Sequence, residues 1–433
     1  MSTGLRCLFF LVTIAVQGVH SEPLHLTPPR SLQWDQFLGV NAHFLWFTPT
    51  QYQLQIEKLR ALGLVWTRVD LHWDHLEPKE NEFDYTQLDD VIEALAKSHL
   101  KSVIYLVGSA PWASSAPRWA KARDTYPPEN PTLFAARLAR LAQRYPSVDA
   151  WQIWNEPNLP TFWQSNQASE AYAELLNVSV QSLRRVDPET PVVMAGMAYF
   201  SQIPGHQTLM LEELAGLGIQ RLGTLIAYHP YSLMPEGDQP ETKDFILRTR
   251  QLNQQLRQLA PPAIWATEWG WSSYPGPKVE QPIIGEEGQA DFVLRRLALM
   301  SGLDFDRVFL FSLSDLDERA TPRDRYYGLL DVNGHPKPVY HALANFLKIT
   351  GPRLWPGKAP TIAPCPSDLV SVSWVREDGT QLLLFWADGE GEIRLPDIHA
   401  GMLYDPLAGT AQGLSQTGGL KVPVRQQLQI LAW

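Results

Sequence analysis

The sequence predicts an α/β fold, a (β/α)₈ TIM barrel that carries a small C-terminal antiparallel β-sandwich domain. Three observations support this prediction: eight short apolar or alternating runs, a helical pattern after each run, and the replacement of helical patterns by successive strand-like runs near residue 350. Eight strands that alternate with helices over about 300 residues are typical of a barrel. A doubly wound sheet is the alternative, and it is disfavoured because no Gly-rich phosphate loop follows any strand.

The eight predicted strands are runs in which apolar residues alternate with other residues or follow one another. Such runs suit strands that are buried on one or both faces. In chain order, the predicted strands are 37–44, 65–73, 101–108, 148–156, 191–200, 223–231, 262–271 and 307–315.

The stretches between these strands have the periodicity and the end signals of helices. They begin near Thr, Pro or Ser and end near Gly or before Pro, as helix caps require. Examples are residues 48–63, 85–99, 130–146 and 169–188. Each such helix can cover the outside of a barrel strand.

After residue 350 the helical patterns stop and strand-like runs follow one another. The runs 369–378, 381–388 and 427–433 are apolar or alternating, and turn residues separate them. This texture is typical of a small antiparallel β-sandwich. The predicted division is therefore a signal peptide (1–21), the barrel (22–350) and the β-sandwich (351–433), to which residues 22–36 also contribute.

The composition excludes some classes of partner. The formal net charge is −10, which argues against nucleic acid as a partner because phosphate binding needs a basic face. The 16 Trp, 14 Tyr and 16 Phe residues are expected mainly in the core, and a few of them can stack on sugar rings. The sequence does not predict an oligomeric state.

Residues 1–21 have the organisation of a cleavable signal peptide. Arg6 precedes an apolar run that ends at Val16, and small and polar residues follow. We therefore expect export to the periplasm or secretion, with an uncleaved anchor as the weaker alternative because the run is short for a bilayer. No later run is long enough for stable membrane insertion. Cys365 is alone after the leader, so no intrachain disulfide is expected.

Two predicted strands end in glutamate. The fourth strand closes on Glu156 and the seventh on Glu268. In a barrel, the active site lies at the C-terminal ends of the strands. Since alternate side chains of a strand point the same way, both carboxylates can face the barrel axis. Two carboxylates that face each other across a groove are the arrangement used for glycosidic cleavage.

The neighbours of the two carboxylates predict different roles for them. Glu156 lies close to Trp151 and Trp154, and apolar surroundings favour the neutral, proton-donating form of a carboxyl group. Glu268 needs a partner that keeps it ionised, and Arg68 on the second strand is the predicted counter-charge. A buried ion pair without a catalytic role is the structural alternative for each of these residues.

Further polar residues at strand ends are candidates for substrate binding. Asn155 is placed to hold a sugar hydroxyl beside the bond that is cut. His229 or Tyr231, on the sixth strand, can donate a hydrogen bond to Glu268. The alternative for these two residues is that each is a satisfied polar group at the barrel rim.

Aromatic residues of the rim loops are predicted to line an extended substrate groove. Trp112 and Trp269 are the main candidates. No metal site and no cofactor are predicted. His72, Asp74 and His75 could suggest a metal, but we expect them on opposite faces of a strand and without a companion cluster.

These motifs together resemble a known enzyme family. Asn155-Glu156-Pro157 at the end of strand four and TEWGW (267–271) at strand seven resemble the clan A retaining glycoside hydrolases. Within that clan the chain is most similar to family 39 and to the PslG-type bacterial exopolysaccharide endoglycosidases. TRVDLHWDHLEP (67–78) and YHPY (228–231) support the resemblance, which covers residues 35 to 433.

The resemblance implies a function and a role for each residue. Glu156 would be the acid/base and Glu268 the nucleophile of a retaining, endo-acting hydrolase of a polysaccharide or oligosaccharide, with Asn155, Arg68 and Tyr231 as supports. Many clan members place a Trp at the end of strand eight, where this chain has Phe311-Ser312. The alternatives are a non-catalytic carbohydrate-binding protein, an exo-acting glycosidase and a transglycosylase.

Overall fold

The structure is a computed structural model that describes residues 23–199, 210–259, 263–278, 281–389 and 391–433. The predicted signal peptide (1–21) lies outside these ranges, as do Phe200 and Pro262 at the ends of two predicted strands. Within the described ranges, every helix is too short or too polar to cross a bilayer.

The first described strands, β1 (Leu24–Leu26) and β2 (Leu32–Gln33), lie outside the barrel. The strands that build the barrel wall are, in chain order, β3 (Leu38–Asn41), β4 (Trp66–His72), β5 (Lys101–Val107), β6 (Ala150–Ile153), β7 (Val192–Met194), β8 (Met197–Ala198), β9 (Ile226–His229), β10 (Ile264–Trp269) and β11 (Arg307–Leu310). Strands β3 to β11 pair in parallel in the order β7-β6-β5-β4-β3-β11-β10-β9-β8.

The ends of this parallel sheet meet. The amide of Leu225, just before β9, donates to the carbonyl of Val192, and the amide of Met194 donates to the carbonyl of Leu225. These bonds join β7 to β9 and close the ring. All eight predicted strands are present and shorter than predicted, and the fifth is divided into β7 and β8.

Helices alternate with the barrel strands along the chain. The α-helices are α1 (Trp34–Phe37), α2 (Pro49–Ala61), α3 (Trp73–Leu76), α4 (Thr86–Lys97), α5 (Pro131–Arg144), α6 (Ala168–Val186), α7 (Met210–Gly216), α8 (Asp244–Leu259), α9 (Gly285–Ser301) and α10 (Pro338–Thr350). The predicted start signals are used: the side chain of Asn130 accepts a hydrogen bond from the amide of Thr132, and Pro131 is the first residue of α5. The (β/α)₈ prediction therefore describes this part of the chain.

The last part of the chain forms a β domain of two sheets. Its strands are β12 (Arg353–Pro356), β13 (Val370–Arg376), β14 (Gln381–Trp386), β15 (Gly391–Leu395), β16 (Ala400–Asp405), β17 (Thr410–Ser415), β18 (Leu420–Val424) and β19 (Gln429–Ala432). β15 and β18 form a separate antiparallel pair, and the other strands belong to one larger sheet. β1 and β2 join this larger sheet by pairing with β13 and β12, so the first described residues belong to the β domain.

The larger sheet packs on both of its faces because side chains of a strand alternate. On β14, Leu382, Leu384 and Trp386 belong to the core that the β domain shares with the barrel. Leu383 and Phe385 point the other way and pack against the β15–β18 pair. The β domain is thus a two-layer structure that is attached to the barrel by an apolar face.

A layer of aromatic residues fills the N-terminal end of the barrel. Trp66, Trp265 and Phe309 are buried there, and the guanidinium of Arg307 lies 3.6 Å from the centre of the Trp66 ring. A side chain on Gly39 would approach the Phe309 ring to 2.5 Å, so only glycine fits at this point of β3. These rings are core residues and leave the opposite, C-terminal mouth as the place for a site.

Candidate active site

The two predicted glutamates meet at the C-terminal mouth of the barrel. Glu156 follows β6 and Glu268 lies in β10, and both side chains are buried. One carboxylate oxygen of each, together with a ring nitrogen of His229, lies within 4.8 Å of the others. The prediction that these two distant residues face each other therefore agrees with the geometry.

The backbone around Glu156 has an uncommon conformation. Trp154 and Glu156 have φ values of +73° and +42°, in the left-handed region that non-glycine residues rarely adopt. The surroundings hold this conformation in place: the Glu156 amide donates to the Gly196 carbonyl at 3.0 Å, and the Trp154 indole packs on Trp163 with ring centres 4.9 Å apart. Backbone strain of this kind is found mainly at functional sites.

Glu268 lies next to a positive charge. Arg68 Nη1 donates to Glu268 Oε1 at 2.6 Å, and the Tyr231 hydroxyl donates to Oε2 at 3.3 Å. The guanidinium is fully buried, so solvent screens this ion pair little. Arg68 therefore lies where the sequence predicts the counter-charge of Glu268.

Arg68 is the centre of the hydrogen-bond network. The ring of Tyr105 lies under its guanidinium at 3.8 Å. Its nitrogens donate to four side-chain oxygens: Glu268 Oε1 (2.6 Å), Gln152 Oε1 (2.6 Å), Asn41 Oδ1 (2.8 Å) and Asn155 Oδ1 (2.8 Å). Since Asn155 uses its amide oxygen here, its amide nitrogen is the atom that can donate to a sugar hydroxyl.

His229 contacts Glu156 rather than acting mainly on Glu268. Its Nδ1 lies 2.7 Å from Glu156 Oε1 and 3.6 Å from Glu268 Oε2. Burial lowers the pKa of His229 to about 3; the charge of Glu268 opposes this shift and that of Arg68 adds to it. His229 is therefore a neutral imidazole at neutral pH, and Glu156 has a neutral partner where Glu268 has a cation.

The loop that carries Tyr231 is held from behind by a second buried arginine. Arg296, on α9, donates to the carbonyls of Pro230 and Pro235 at 2.8 Å each and to that of Met234 at 3.1 Å. Three carbonyls on one planar guanidinium fix the path of the segment after β9. Tyr231 is thereby held beside Glu268.

Phe311 lies at the end of the eighth barrel strand, where many clan members have a Trp. Its ring is half-buried and packs edge-on against His43 and Tyr327, with centres 5.3 and 5.2 Å apart. Tyr327 in turn packs on Tyr231. Phe311 is noted in the sequence as a departure from the clan pattern, but it is not among the predicted substrate-binding residues.

The two tryptophans predicted to line a groove differ in their surroundings. Trp269 has no exposed surface, because it alternates with Glu268 along β10 and points away from the barrel axis. Its ring cannot stack on a sugar, which corrects the prediction for this residue. Trp112 is half-buried, and its indole donates to the carbonyl of Glu77 at 3.0 Å.

The expected separation of His72, Asp74 and His75 is also corrected. The turn α3 brings them together, with the two imidazole rings 5.4 Å apart and each ring within 3.9 Å of Asp74. Within the described ranges, the group whose ligand atoms could share one ion is the site itself, formed by the two glutamates and His229. Arg68 already supplies positive charge to that group.

Comparison with known proteins agrees with this geometry. Residues 33–363 match the model of glycosyl hydrolases family 39. The chain belongs to glycosyl hydrolases family 39. This match confirms the family that the strand-end motifs predict; the resemblance to the PslG-type enzymes stays a prediction.

One curated relative of this family 39 chain is a beta-xylosidase from Caldicellulosiruptor saccharolyticus. It is 25% identical over 308 residues, which are 68% of this chain and 58% of that protein. The chain therefore spans little more than half the length of this relative.

Solved structures share the fold. A family 39 glycoside hydrolase from Bacteroides cellulosilyticus WH2 superposes with a TM-score of 0.69 at 19% identity, covering 94% of this chain and 81% of that one. A GH30 endoxylanase from Clostridium papyrosolvens C71 superposes with a TM-score of 0.62 at 10% identity, covering 95% and 99%. At these identities the likeness concerns the fold alone, a barrel with an attached β domain.

Proposed function

We propose that this protein is a retaining glycoside hydrolase that cleaves O-glycosidic bonds by double displacement. The observation that carries the proposal is the short distance between the two carboxylates, whose nearest oxygens lie within 4.8 Å of each other. Retaining enzymes have carboxyl groups about 5 to 5.5 Å apart, whereas inverting enzymes need about 6.5 to 9.5 Å to hold a water. Membership of family 39 supports the same reaction.

The surroundings of the two carboxylates assign their roles. Glu268, beside Arg68, attacks the anomeric carbon and forms a glycosyl ester. Glu156, beside a neutral His229, protonates the departing glycosidic oxygen. In the second step Glu156 takes a proton from water, the water oxygen bonds to the anomeric carbon, and the ester bond to Glu268 breaks.

The remaining predicted residues position these groups. Asn155 presents its amide nitrogen to a sugar hydroxyl next to the cleaved bond. Tyr231 donates to Glu268 and can follow the ester oxygen through the reaction. Phe311 and the half-buried Trp112 offer apolar surface to the sugar rings, because pyranose C–H faces pack on aromatic side chains.

The proposed substrate is a polysaccharide or oligosaccharide that is cut internally. Rim aromatics support an extended site: Trp119 is 81% exposed, and Tyr326 is exposed and packs against Tyr274 with ring centres 5.8 Å apart. The names of the relatives, a beta-xylosidase and an endoxylanase, make xylose-based oligomers the first candidates. An exo-acting β-xylosidase is the second candidate, supported by the first of these relatives.

The decisive experiment compares the wild type with Glu156→Gln and Glu170→Gln on a panel of aryl glycosides and polysaccharides. Glu170 is an exposed glutamate of α6 and serves as the matched control. We expect turnover by the wild type and by the control, and retained anomeric configuration by NMR of the first product. Inverted product would contradict the double displacement.

The same experiment separates the alternatives. Equal, negligible turnover by the wild type and Glu156→Gln, together with sugar binding, would favour a carbohydrate-binding protein. Product sizing distinguishes internal cleavage, which releases mixed oligomers, from release of single sugars. Longer products in the presence of added acceptor would indicate transglycosylation.

We also propose that the protein is exported. The support is the organisation of residues 1–21, with one basic residue before a short apolar run. Mass spectrometry of the protein made in its source cell, after separation of periplasm, medium and cytoplasm, tests this proposal. An intact leader in the cytoplasmic fraction would contradict it.

A further inference from the structure

The side-chain amide of Gln152 can adopt only one orientation. Its oxygen accepts from Arg68 Nε at 2.6 Å, and its nitrogen donates to the Met194 carbonyl at 3.0 Å. A flipped amide would place two donors together and two acceptors together, and Gln152 is fully buried. The second hydrogen of its nitrogen therefore faces the Thr267 hydroxyl, 3.4 Å away.

The Thr267 hydroxyl receives this hydrogen and must give its own to another atom. It is fully buried, and within the described part of the chain its hydrogen-bond partners are Gln152 Nε2 and His229 Nε2, the latter at 2.9 Å. Because the first partner is a donor, the hydroxyl hydrogen points to His229 Nε2. That ring nitrogen is therefore an acceptor without a hydrogen.

His229 then has one possible tautomer. A neutral imidazole has one donor and one acceptor nitrogen, and burial keeps His229 neutral. With Nε2 as the acceptor, the hydrogen lies on Nδ1, which is 2.7 Å from Glu156 Oε1. His229 therefore donates to Glu156.

We propose that Gln152 and Thr267 are positioning residues that fix the Nδ1–H tautomer of His229, so that Glu156 Oε1 accepts from His229 and the acid proton of Glu156 lies on Oε2. The part that concerns the acid proton rests on the proposed function. The arrangement stabilises the ionised form of Glu156, because His229 donates to its carboxylate and takes no proton from its carboxylic acid. Glu156 thereby gives up its proton to the departing oxygen more readily.

A third residue leaves room for this chain of contacts. Gly196, between β7 and β8, approaches the imidazole so closely that a Cβ there would lie 1.9 Å from His229 Nε2 and 2.5 Å from Thr267 Oγ1. The Gly196 carbonyl also accepts from the Glu156 amide. Glycine at this position allows the histidine and the threonine to meet.

The tautomer can be observed without any assumption about activity. In protein labelled with ¹⁵N-histidine, ring nitrogens with and without hydrogen have well separated chemical shifts, and the signals of His229 are those lost in His229→Asn. We expect a hydrogen on Nδ1 and none on Nε2 at neutral pH. A hydrogen on Nε2 would overturn the proposal, even if the protein proves to be an active glycosidase.

The effect on Glu156 is tested by pH–rate profiles of Thr267→Val and Thr267→Ser. Valine removes the hydroxyl at similar volume, so the hydrogen of His229 is no longer fixed on Nδ1 and can move to Nε2. Protonated Glu156 can then donate to Nδ1 and gains a hydrogen bond. We expect the alkaline limb of kcat/KM to move to higher pH by about one unit. This is the pKa shift that the loss or gain of one hydrogen bond to a charged group causes. Thr267→Ser keeps the hydroxyl, so its alkaline limb should lie at the same pH as that of the wild type.

Both variants keep the titratable and charged groups that face Glu156 and His229, including Glu268, Arg68, Tyr105 and Tyr231. Circular dichroism of both variants checks the fold. An alkaline limb of Thr267→Val equal to that of Thr267→Ser would overturn the role of the hydroxyl, whereas absence of turnover in the wild type would contradict the proposed function and leave the NMR result to decide the tautomer.

Discussion

Two buried clusters in this molecule each contain two carboxylates and one arginine. One is the candidate active site at the mouth of the barrel, with Glu156, Glu268 and Arg68. The other, the interface cluster, consists of Glu236, Asp291 and Arg295 and lies where α9 meets the β domain. Burial does not distinguish the two clusters, because all six residues are less than one tenth exposed.

The partners of the acids distinguish them. In the interface cluster, Arg295 contacts both acids at 3.1 Å, and the β domain contributes further donors, including the Trp386 indole to Glu236 at 2.7 Å. In the candidate active site, Arg68 contacts Glu268 and a neutral histidine contacts Glu156. The interface cluster thus gives its two acids the same cation, whereas the candidate active site gives its two acids different partners, as the proposed division into acid and nucleophile requires.

The largest effect is expected when the proposed nucleophile is removed. Glu268→Gln should lower kcat by at least about 10⁴-fold, because the covalent step is lost. Glu236→Gln, the same change in the interface cluster, should leave kcat near the wild-type value. Steady-state kinetics on an aryl glycoside measure both variants, and equal losses would mean that the two clusters have been assigned wrongly.

Removing the acid should have the next largest effect. Glu156→Gln should lower kcat by about 10² to 10⁴-fold, the usual contribution of general acid–base catalysis. The loss should shrink for substrates with an acidic leaving group, which needs no proton, and the alkaline limb of the pH–rate profile should disappear. A loss that is independent of the leaving group would contradict the acid role of Glu156.

In the interface cluster, the corresponding change should reduce stability. Arg295→Met leaves two buried carboxylates without their shared cation, which should lower the free energy of unfolding by about 3 kcal/mol. Urea unfolding measures this change, and kcat of the folded fraction at 25 °C is the control. A variant as stable as the wild type would show that Arg295 does not hold these charges.

The smallest predicted effect concerns the pH dependence of stability. Burial raises the pKa of Asp291 to about 6, and Arg295 opposes the shift. The folded state thus binds this proton more tightly than the unfolded state, so stability falls as the pH rises from about 4 to about 6. In Asp291→Asn this fall should be smaller by about 2 kcal/mol.

Urea unfolding at pH 4, 5 and 6 measures this difference. Burial also raises the pKa of Asp315 to about 6. Because Asp315 titrates in the same pH range, the stability of Asp291→Asn should still fall with rising pH, but by less than that of the wild type. An unchanged fall in Asp291→Asn would mean that Asp291 does not titrate there.

The barrel strands and the two glutamates could be predicted from the sequence because both depend on local patterns. Period-two alternation and the C-terminal ends of strands are readable from one segment at a time. Alternation along the strand also places Trp269 on the face opposite to Glu268. The prediction that Trp269 lines the groove is wrong because it disregards this alternation.

Other features depend on contacts between distant segments. Asn41 and Gln152 meet Arg68 only in the closed barrel, and Trp386 meets Glu236 across 150 positions of sequence. The proximity of His72 and His75 depends on a single helical turn that interrupts the strand pattern. No local periodicity contains this information.

The adjacent arginines of α9 connect the two halves of the protein. Arg295 reaches Glu236 and, through it, Trp386 of the β domain, while Arg296 holds the carbonyls that precede Glu236 and flank Tyr231. A truncated chain that ends at the last barrel helix would lose the Trp386 donor and expose the apolar face beneath it. The barrel therefore shares a buried charge cluster and apolar surface with the appended sheets, and we expect the segment that carries Tyr231 to be held less firmly without them.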